Sequence, residues 1–315
     1  MALTIGVDIG GTKVLGGVVD DRDGTVIAQA RRDTPATDPA QTLDRIVEVV
    51  MELSATHPVD AVGIGAAGWI DAERATVLYA PNLAWRDEPL RDQIRKRTGL
   101  SVVVENDANV AAWAEFRFGA AKDADDSMVM FTVGTGIGGG IVLGGQLVRG
   151  AHGIAAELGH VLAVPDGHPC GCGSRGCLEQ YASGSALTRF AREAAAADPK
   201  AAADLLSRVD GDPAGLTGPM VTTAAREGDP VALDAFAQAG YWLGRGLADM
   251  VQIFDPQVLV VGGGVVEAGE LLLGPARAAC VEALPQRAKL PIAEVVAASM
   301  GNTAGVVGAA DLARR

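Results

Sequence analysis

The sequence predicts an α/β protein of two domains, each carrying a strand, a glycine turn and a returning strand. Three observations predict it. An apolar run, Ile5 to Ile9, enters the turn Gly10-Gly11-Thr12-Lys13 and leaves as Val14 to Val19. The pattern recurs where Met128 to Val133 enters a Thr/Gly turn at 133–140 and leaves as Ile141 to Leu143. Around these hairpins, β-branched runs alternate with helical patterns over 315 residues, a length that accommodates two modest domains.

The turns carry chemistry. Gly10 and Gly11 can adopt positive φ and place no side chain in the way, so backbone N–H groups can converge on a phosphate. Thr12 adds a hydroxyl donor. Asp8, at the end of the first strand, is placed to hold Mg²⁺ directly or through water. Thr135, Gly136 and Gly138 offer the same features in the second turn. Neither turn has the G-x-x-x-x-G-K-[ST] spacing of a P-loop. Neither opens a clear helix, as a dinucleotide fingerprint does. Two such turns suggest duplicated halves with a nucleotide between them.

The remaining elements follow in order. Leu43, Ile46, Val47, Val50 and Leu53 give one apolar face to a helix over 41–55. Ala61 to Gly65 reads as a buried strand, followed by a loop at 68–71. A second loop, at 79–83, contains Pro81. A charged helix over 90–98 ends before Gly99. Val102 to Val104 is a strand and Ala108 to Phe118 a helix, so Asn106 and Asp107 fall at their junction. Both are ordinary helix-capping residues, and position alone favours that role for them. A helical pattern runs from Glu179 to about Ala197. Residues 195–218 read as short helices and loops. Pro230 to Ile253 is a long amphipathic helix, and Val258 to Val261 is a buried strand ending in Gly262-Gly263-Gly264. Ile292 to Ala297 is another strand, and 302–314 a closing helix rich in Ala and Gly.

Composition excludes several functions. The net charge of −13, with no basic run, argues against a nucleic acid or an anionic membrane as partner. Ser127 to Val148 is uncharged and long enough to span a bilayer. Its seven glycines and short apolar runs instead fit a buried strand-turn-strand. The N-terminus has no basic segment before its first strand, so no signal peptide is expected, and the protein is expected in the cytoplasm.

Three of the four cysteines lie within eight residues, which in a reducing compartment favours a metal over disulfides. Cys170, Cys172 and Cys177, with His160 ten residues upstream of the first, offer three thiolates and an imidazole for a tetrahedral Zn²⁺. Four protein ligands leave no open position, so the zinc is expected to be structural. It would pin Glu157, His160 and Glu179 into one region. The second ring nitrogen of His160 and the two carboxylates would then interleave donors and acceptors, as a polyhydroxylated ligand needs.

Five motifs in this order and spacing resemble the ROK family (repressors, open reading frames, sugar kinases) over essentially the whole chain. They are Asp8-Ile9-Gly10-Gly11-Thr12-Lys13, Glu105-Asn106-Asp107, the run Gly134 to Gly140, Glu157-x-x-His160 and the Cys170/Cys172/Cys177 knuckle. Within the family the chain is most similar to ATP-dependent glucokinases of actinobacterial type. The resemblance implies two ribonuclease-H-like domains of the actin, Hsp70 and sugar kinase superfamily, flanking a nucleotide and sugar cleft. The small domain would span 1–108 and 300–315, and the large domain, with the zinc knuckle, 109–299. It implies ATP-dependent phosphorylation of D-glucose at the 6-hydroxyl, with Asp107 as catalytic base. Gly68, Asn106, Asp107, Glu157, His160 and Glu179 would contact the sugar. Asp8, Gly10, Gly11, Thr12, Lys13, Thr135, Gly136 and Gly138 would hold phosphates and Mg²⁺, and Gly262, Gly263 and Gly264 would lie near the adenosine. The chain opens on the phosphate strand without the helix-turn-helix of the family's repressors, so no DNA-binding role is expected. The family habit implies a homo-oligomer, dimer or tetramer. Another hexose (mannose, fructose, N-acetylglucosamine or N-acetylmannosamine) and a non-catalytic sugar sensor remain as alternatives.

Overall fold

A computed structural model describes residues 3–315; the first two residues of the expected small domain lie outside the described residues. The chain forms two compact units. The first comprises Met1–Met128, Gly140–Ala156 and Ser299–Arg315, and the second Val129–Gly139 and Glu157–Ala298.

The first unit opens with β1 (Leu3–Ile9), β2 (Lys13–Asp20) and β3 (Val26–Asp33), an antiparallel meander. Helix α1 (Pro39–Thr56) follows, its first turn capped by the Asp38 carboxylate, which accepts from Gln41 N. β4 (Ala61–Ala66) then pairs parallel with β1. The stretches expected as loops around 68–71 and 79–83 contribute instead to a small sheet of β5 (Trp69–Ile70), β6 (Val77–Tyr79) and β7 (Arg86–Glu88). Their strands are two or three residues long, too short to show alternation. Helix α2 (Leu90–Thr98) ends at left-handed Gly99, β8 (Ser101–Asn106) pairs parallel with β4, and α3 (Asp107–Phe118) follows without a loop. The sheet order is β3-β2-β1-β4-β8, the mixed order of a ribonuclease-H-like fold.

The chain continues through β9 (Met128–Val133), β10 (Ile137–Leu143) and β11 (Gln146–Leu147). β10 begins four residues earlier than the glycine run suggests, so Gly138 lies in a strand and not in the turn. Glycines in a strand and glycines in a turn look alike in sequence. The second unit adds α4 (Glu179–Ala182), α5 (Gly184–Ala197), α6 (Ala203–Ser207), α7 (Gly218–Arg226) and α8 (Pro230–Phe254). β12 (Val258–Gly262), α9 (Glu270–Glu282) and β13 (Glu294–Ala297) complete it. The second sheet runs β11-β10-β9-β12-β13, repeating the order of the first. The pattern over 179–197 is broken at Ser183, whose side chain caps α5 by accepting from Ala186 N.

The closing helix α10 (Ala304–Leu312) belongs to the first unit. Its backbone lies directly on the sheet. A Cβ on Gly6 would sit 1.8 Å from Val306 O, and one on Gly63 1.7 Å from Ala309 O, so only glycine admits the helix there. α3 packs on α10 and thereby groups with the first unit, whereas the expected boundary at 108 gave it to the second.

Candidate functional site

The first turn, Gly10-Gly11-Thr12, joins β1 to β2 and is tied down at both ends. Gly10 N donates to Lys13 O at 3.0 Å, and Thr34 donates through Oγ1 to Gly10 O at 2.9 Å and through its amide to Thr12 O at 3.2 Å. Gly10 and Gly11 are not among the glycines with positive φ. What the turn gains from them is an open side. The nearest atom to a Cβ on Gly11 would be Asn82 Cβ, at an ordinary 3.5 Å. Lys13 is the first residue of β2.

Asp8 lies one residue before the end of β1, with Gly305 of α10 against its carboxyl group. Burial, then the negative charge of Asp107, pushes the Asp8 carboxyl up to about 6, and Lys13 partly offsets this. The two carboxylates therefore sense each other. Carboxylate oxygens that repel beside a glycine turn are donors that fit Mg²⁺.

Asp107 is the first residue of α3 and Asn106 its N-cap, so the capping reading of Asn106 holds. Asn106 Oδ1 accepts from Asn109 N at 3.0 Å, and its Nδ2 donates to Gly68 O at 3.0 Å. Gly68 is thus linked to Asn106 through its carbonyl. Ala108 N donates to Asp107 Oδ1 at 2.9 Å, and burial raises the Asp107 pKa.

In the second unit, the turn Gly134-Thr135-Gly136 joins β9 to β10. Gly184 N donates to Gly134 O at 2.8 Å, so the N-terminus of α5 abuts the turn. A helix N-terminus beside a glycine turn is a ready anion site. Thr135 and Gly264 line a cavity of about 850 Å³, together with Ser185 and Thr188 of α5, Arg226 of α7 and Glu267. Gly263, at φ 86°, makes the turn out of β12, and Gly262 is the last residue of that strand. Sequence reading missed Ser185, Thr188 and Arg226. The cap pattern Ser183-Gly184-Ser185 could have exposed the first two.

Glu179, the first residue of α4, reaches two places. Its Oε2 accepts from Ile137 N at 3.0 Å, and its Oε1 lies 3.5 Å from Cys170 Sγ. It therefore links the second turn to the cysteine cluster. His160 turns Nδ1 toward Cys170 Sγ at 3.7 Å and Nε2 toward Glu157 Oε2 at 3.8 Å.

His160, Cys170, Cys172 and Cys177 place one ligand atom each within 4.8 Å of one another. Cys172 Sγ and Cys177 Sγ are 3.7 Å apart. A tetrahedral zinc with Zn–S of about 2.3 Å needs ligand atoms roughly 3.8 Å apart, so the cluster fits the ion. Gly173 and Gly176, at φ 91° and 77°, let the loop turn back on itself. Without a cation, burial and the neighbouring thiols push Cys177 up to about 12. Three thiolates coexist only when a positive charge compensates them.

The chain is similar to known proteins over nearly its whole length. The chain is 50% identical over 314 residues to a glucokinase of Streptomyces coelicolor, covering 100% of this chain and 98% of that one. It is 40% identical to a glucokinase of Thermotoga maritima, covering 98% and 96% of the two chains. The crystal structure of a ROK family glucokinase from Streptomyces griseus in complex with glucose and AMPPNP superimposes with a TM-score of 0.87, at 53% identity and 99% coverage of both chains. The ROK family model matches residues 4–315, from β1 to the end of the chain, and takes in both glycine turns, Asp107 and the cysteine cluster: the chain belongs to the ROK family.

Proposed function

We propose that this protein transfers the γ-phosphoryl group of ATP to the 6-hydroxyl of D-glucose, giving glucose 6-phosphate and ADP. The observation that carries the reading is Asp107, a carboxylate at the start of α3 whose charge acts on Asp8, two residues before the first glycine turn. Glucokinases at 40–50% identity over nearly the whole chain support it.

In this reading the O6 lone pair attacks the γ-phosphorus, the bond to the β-phosphate oxygen breaks, and ADP departs. Asp107 receives the O6 proton. Its raised pKa brings it nearer to the operating pH, and the Ala108 amide holds Oδ1 so that the carboxylate keeps one orientation. In a loose phosphoryl-transfer transition state, positioning contributes more than basicity. Gly68, Asn106, Glu157, His160 and Glu179 are the sugar-binding groups in this reading. Gly10, Gly11, Thr12 and Lys13 hold the terminal phosphates, and Thr135 and Gly136 the others. Gly138, the second residue of β10, joins them through its backbone. The 850 Å³ cavity, lined by Gly264, takes the nucleoside, with Gly262 and Gly263 leading into its wall from β12. Mg²⁺, when bound near Asp8, neutralises charge on the β- and γ-phosphates. Zn²⁺ at His160 and the three cysteines has a structural role: it leaves His160 Nε2 to the sugar and to Glu157.

No helix among the described residues is long and apolar enough to cross a membrane. We place the reaction in the cytoplasm, where ATP is available. We also propose that the protein works as a homo-oligomer, dimer or tetramer. Exposed Val161, Leu162 and Tyr241, which border one pocket, support this. Nuclear magnetic resonance of the product of glucose, ATP and Mg²⁺ tests the chemistry. A phosphomonoester on C6 is expected. A C1 phosphate, or ATP hydrolysis alone, would overturn the reading.

A further inference from the structure

Behind Asn106 and Asp107 lies a carboxylate to which the proposed reaction gives no part. Glu105, the penultimate residue of β8, is 1% exposed. Its oxygens face different ways. Oε1 accepts from Asn106 N at 3.0 Å and from Asn109 Nδ2 at 3.1 Å, both in the turn that carries Asp107. Oε2 lies 3.1 Å from Arg74 Nε and 2.7 Å from Arg149 Nε. Arg149 then donates from Nη1 to Ala72 O and from Nη2 to Asp71 O, each at 2.8 Å. Arg74 is held at φ 54°, in the left-handed region that non-glycine residues seldom adopt.

A buried ion pair is weak evidence for stability, because desolvation offsets much of its attraction. Here the pair has a geometric consequence. The carboxylate joins the backbone amide immediately before Asp107 to two arginines rooted in other segments. A strained residue such as Arg74 persists only where its surroundings over-determine it.

We propose that Glu105 and Arg149 are positioning residues, a clamp that fixes the Asn106–Asp107 backbone so that the Asp107 carboxylate meets the attacking hydroxyl. The inference rests on the kinase reading above. Glu105 and Arg149 need not touch either substrate. Their effect reaches the reaction through Asp107, and reaches sugar binding through Asn106, while the nucleotide sites are served by other segments.

The experiment compares the full-length wild type with Arg149→Ala and Arg149→Lys, in ADP release with glucose and Mg²⁺-ATP and in thermal unfolding. Wild-type release with glucose establishes the kinase reading by itself, and the ratio of variant to wild type then tests the clamp. Arg149→Ala is expected to lose about tenfold to hundredfold in kcat, because displacement of a catalytic group by about 1 Å has effects of that size. Its KM for ATP should stay within about twofold, since the nucleotide contacts are unchanged. Added guanidinium ion at millimolar concentration should restore part of the kcat, and Arg149→Lys, which keeps the charge but not the fork, should fall between. Glu105→Gln leaves two arginines without their counter-charge and is the harsher variant, so Arg149 decides. A fall in melting temperature with kcat per folded molecule unchanged would overturn the proposal. So would a kcat loss matched by a proportional rise in the KM for ATP, or one that guanidinium does not relieve.

Discussion

Asp107→Asn is expected to slow phosphoryl transfer by about 10²–10⁴-fold, the usual worth of a general base, while glucose still binds. The Asn side chain keeps the shape and still accepts from Ala108 N, so what disappears is the proton acceptor. The same substitution is expected to stabilise the free protein at neutral pH. Burial raises the Asp107 pKa, and the Asp107 charge helps to raise Asp8 from 3.8 to about 6. A carboxyl whose pKa is higher folded than unfolded binds its proton more tightly in the folded state. The stability this contributes is fully present below the unfolded value and is lost as pH rises through the folded one. For Asp8 that window runs from 3.8 to about 6. Removing the Asp107 charge lets Asp8 return part of the way toward 3.8 and removes the burial cost of Asp107 itself. The melting temperature of Asp107→Asn, measured without Mg²⁺ or ATP, should therefore exceed wild type at neutral pH. The gap should narrow as pH falls toward 4, the lower end of that window. Near-normal turnover would end the base assignment. A variant less stable at neutral pH, or a gap that does not change with pH, would contradict the electrostatic account.

Cys172→Ala is expected to release the zinc and weaken glucose binding at least tenfold, the scale at which lost support around a metal site is felt. Cys172 is the ligand to change because it is exposed, whereas Cys170 and Cys177 are buried and their loss would also disturb packing. Without the ion, Cys170 no longer fixes His160 Nδ1 and Glu179 Oε1, which it approaches at 3.7 and 3.5 Å. Both groups, proposed to bind the sugar, then lose their orientation. Because Glu179 also accepts from Ile137 N, the second glycine turn should loosen, and ATP affinity should fall by a smaller factor. Metal analysis and calorimetry check this together. About one zinc per chain remaining in the variant would show that the ligand set is wrong. Zinc loss with glucose affinity intact would show that the ion does not order the site.

Much of this was legible because the signals were local. The Asp8-Ile9-Gly10-Gly11 turn, the Glu105-Asn106-Asp107 junction and the cysteine spacing each lie within a few residues, and the family resemblance rests on them. α1, α2 and α8 were legible from a one-sided apolar pattern or a clear stop, as at Gly99. Two helices were missed. α7 is short and follows a loop-rich segment. α9 contains Pro275 in its interior, preceded by Gly274, and such a pair reads as a break. Gly138 was expected in the turn and lies in β10, because a glycine run fits a turn and a closely packed strand equally well. The partners of Glu105 could not be read at all. Arg74 and Arg149 are far from it in sequence, and no periodicity announces an ion pair formed by topology. Nor did the motif at Glu179 reveal that one carboxylate serves both the second turn and the cysteine cluster.

The central claim is that this protein phosphorylates glucose with ATP. The most direct measurement is the initial rate of ADP release with ATP and Mg²⁺, in parallel reactions with glucose, mannose, fructose, N-acetylglucosamine, N-acetylmannosamine and no sugar. Release fastest with glucose, and close to background without sugar, is the predicted result. Release fastest with another hexose would contradict the substrate assignment while leaving Asp107 as the base. No release with any sugar, from a protein that binds glucose in calorimetry, would contradict the kinase itself and leave a sugar sensor.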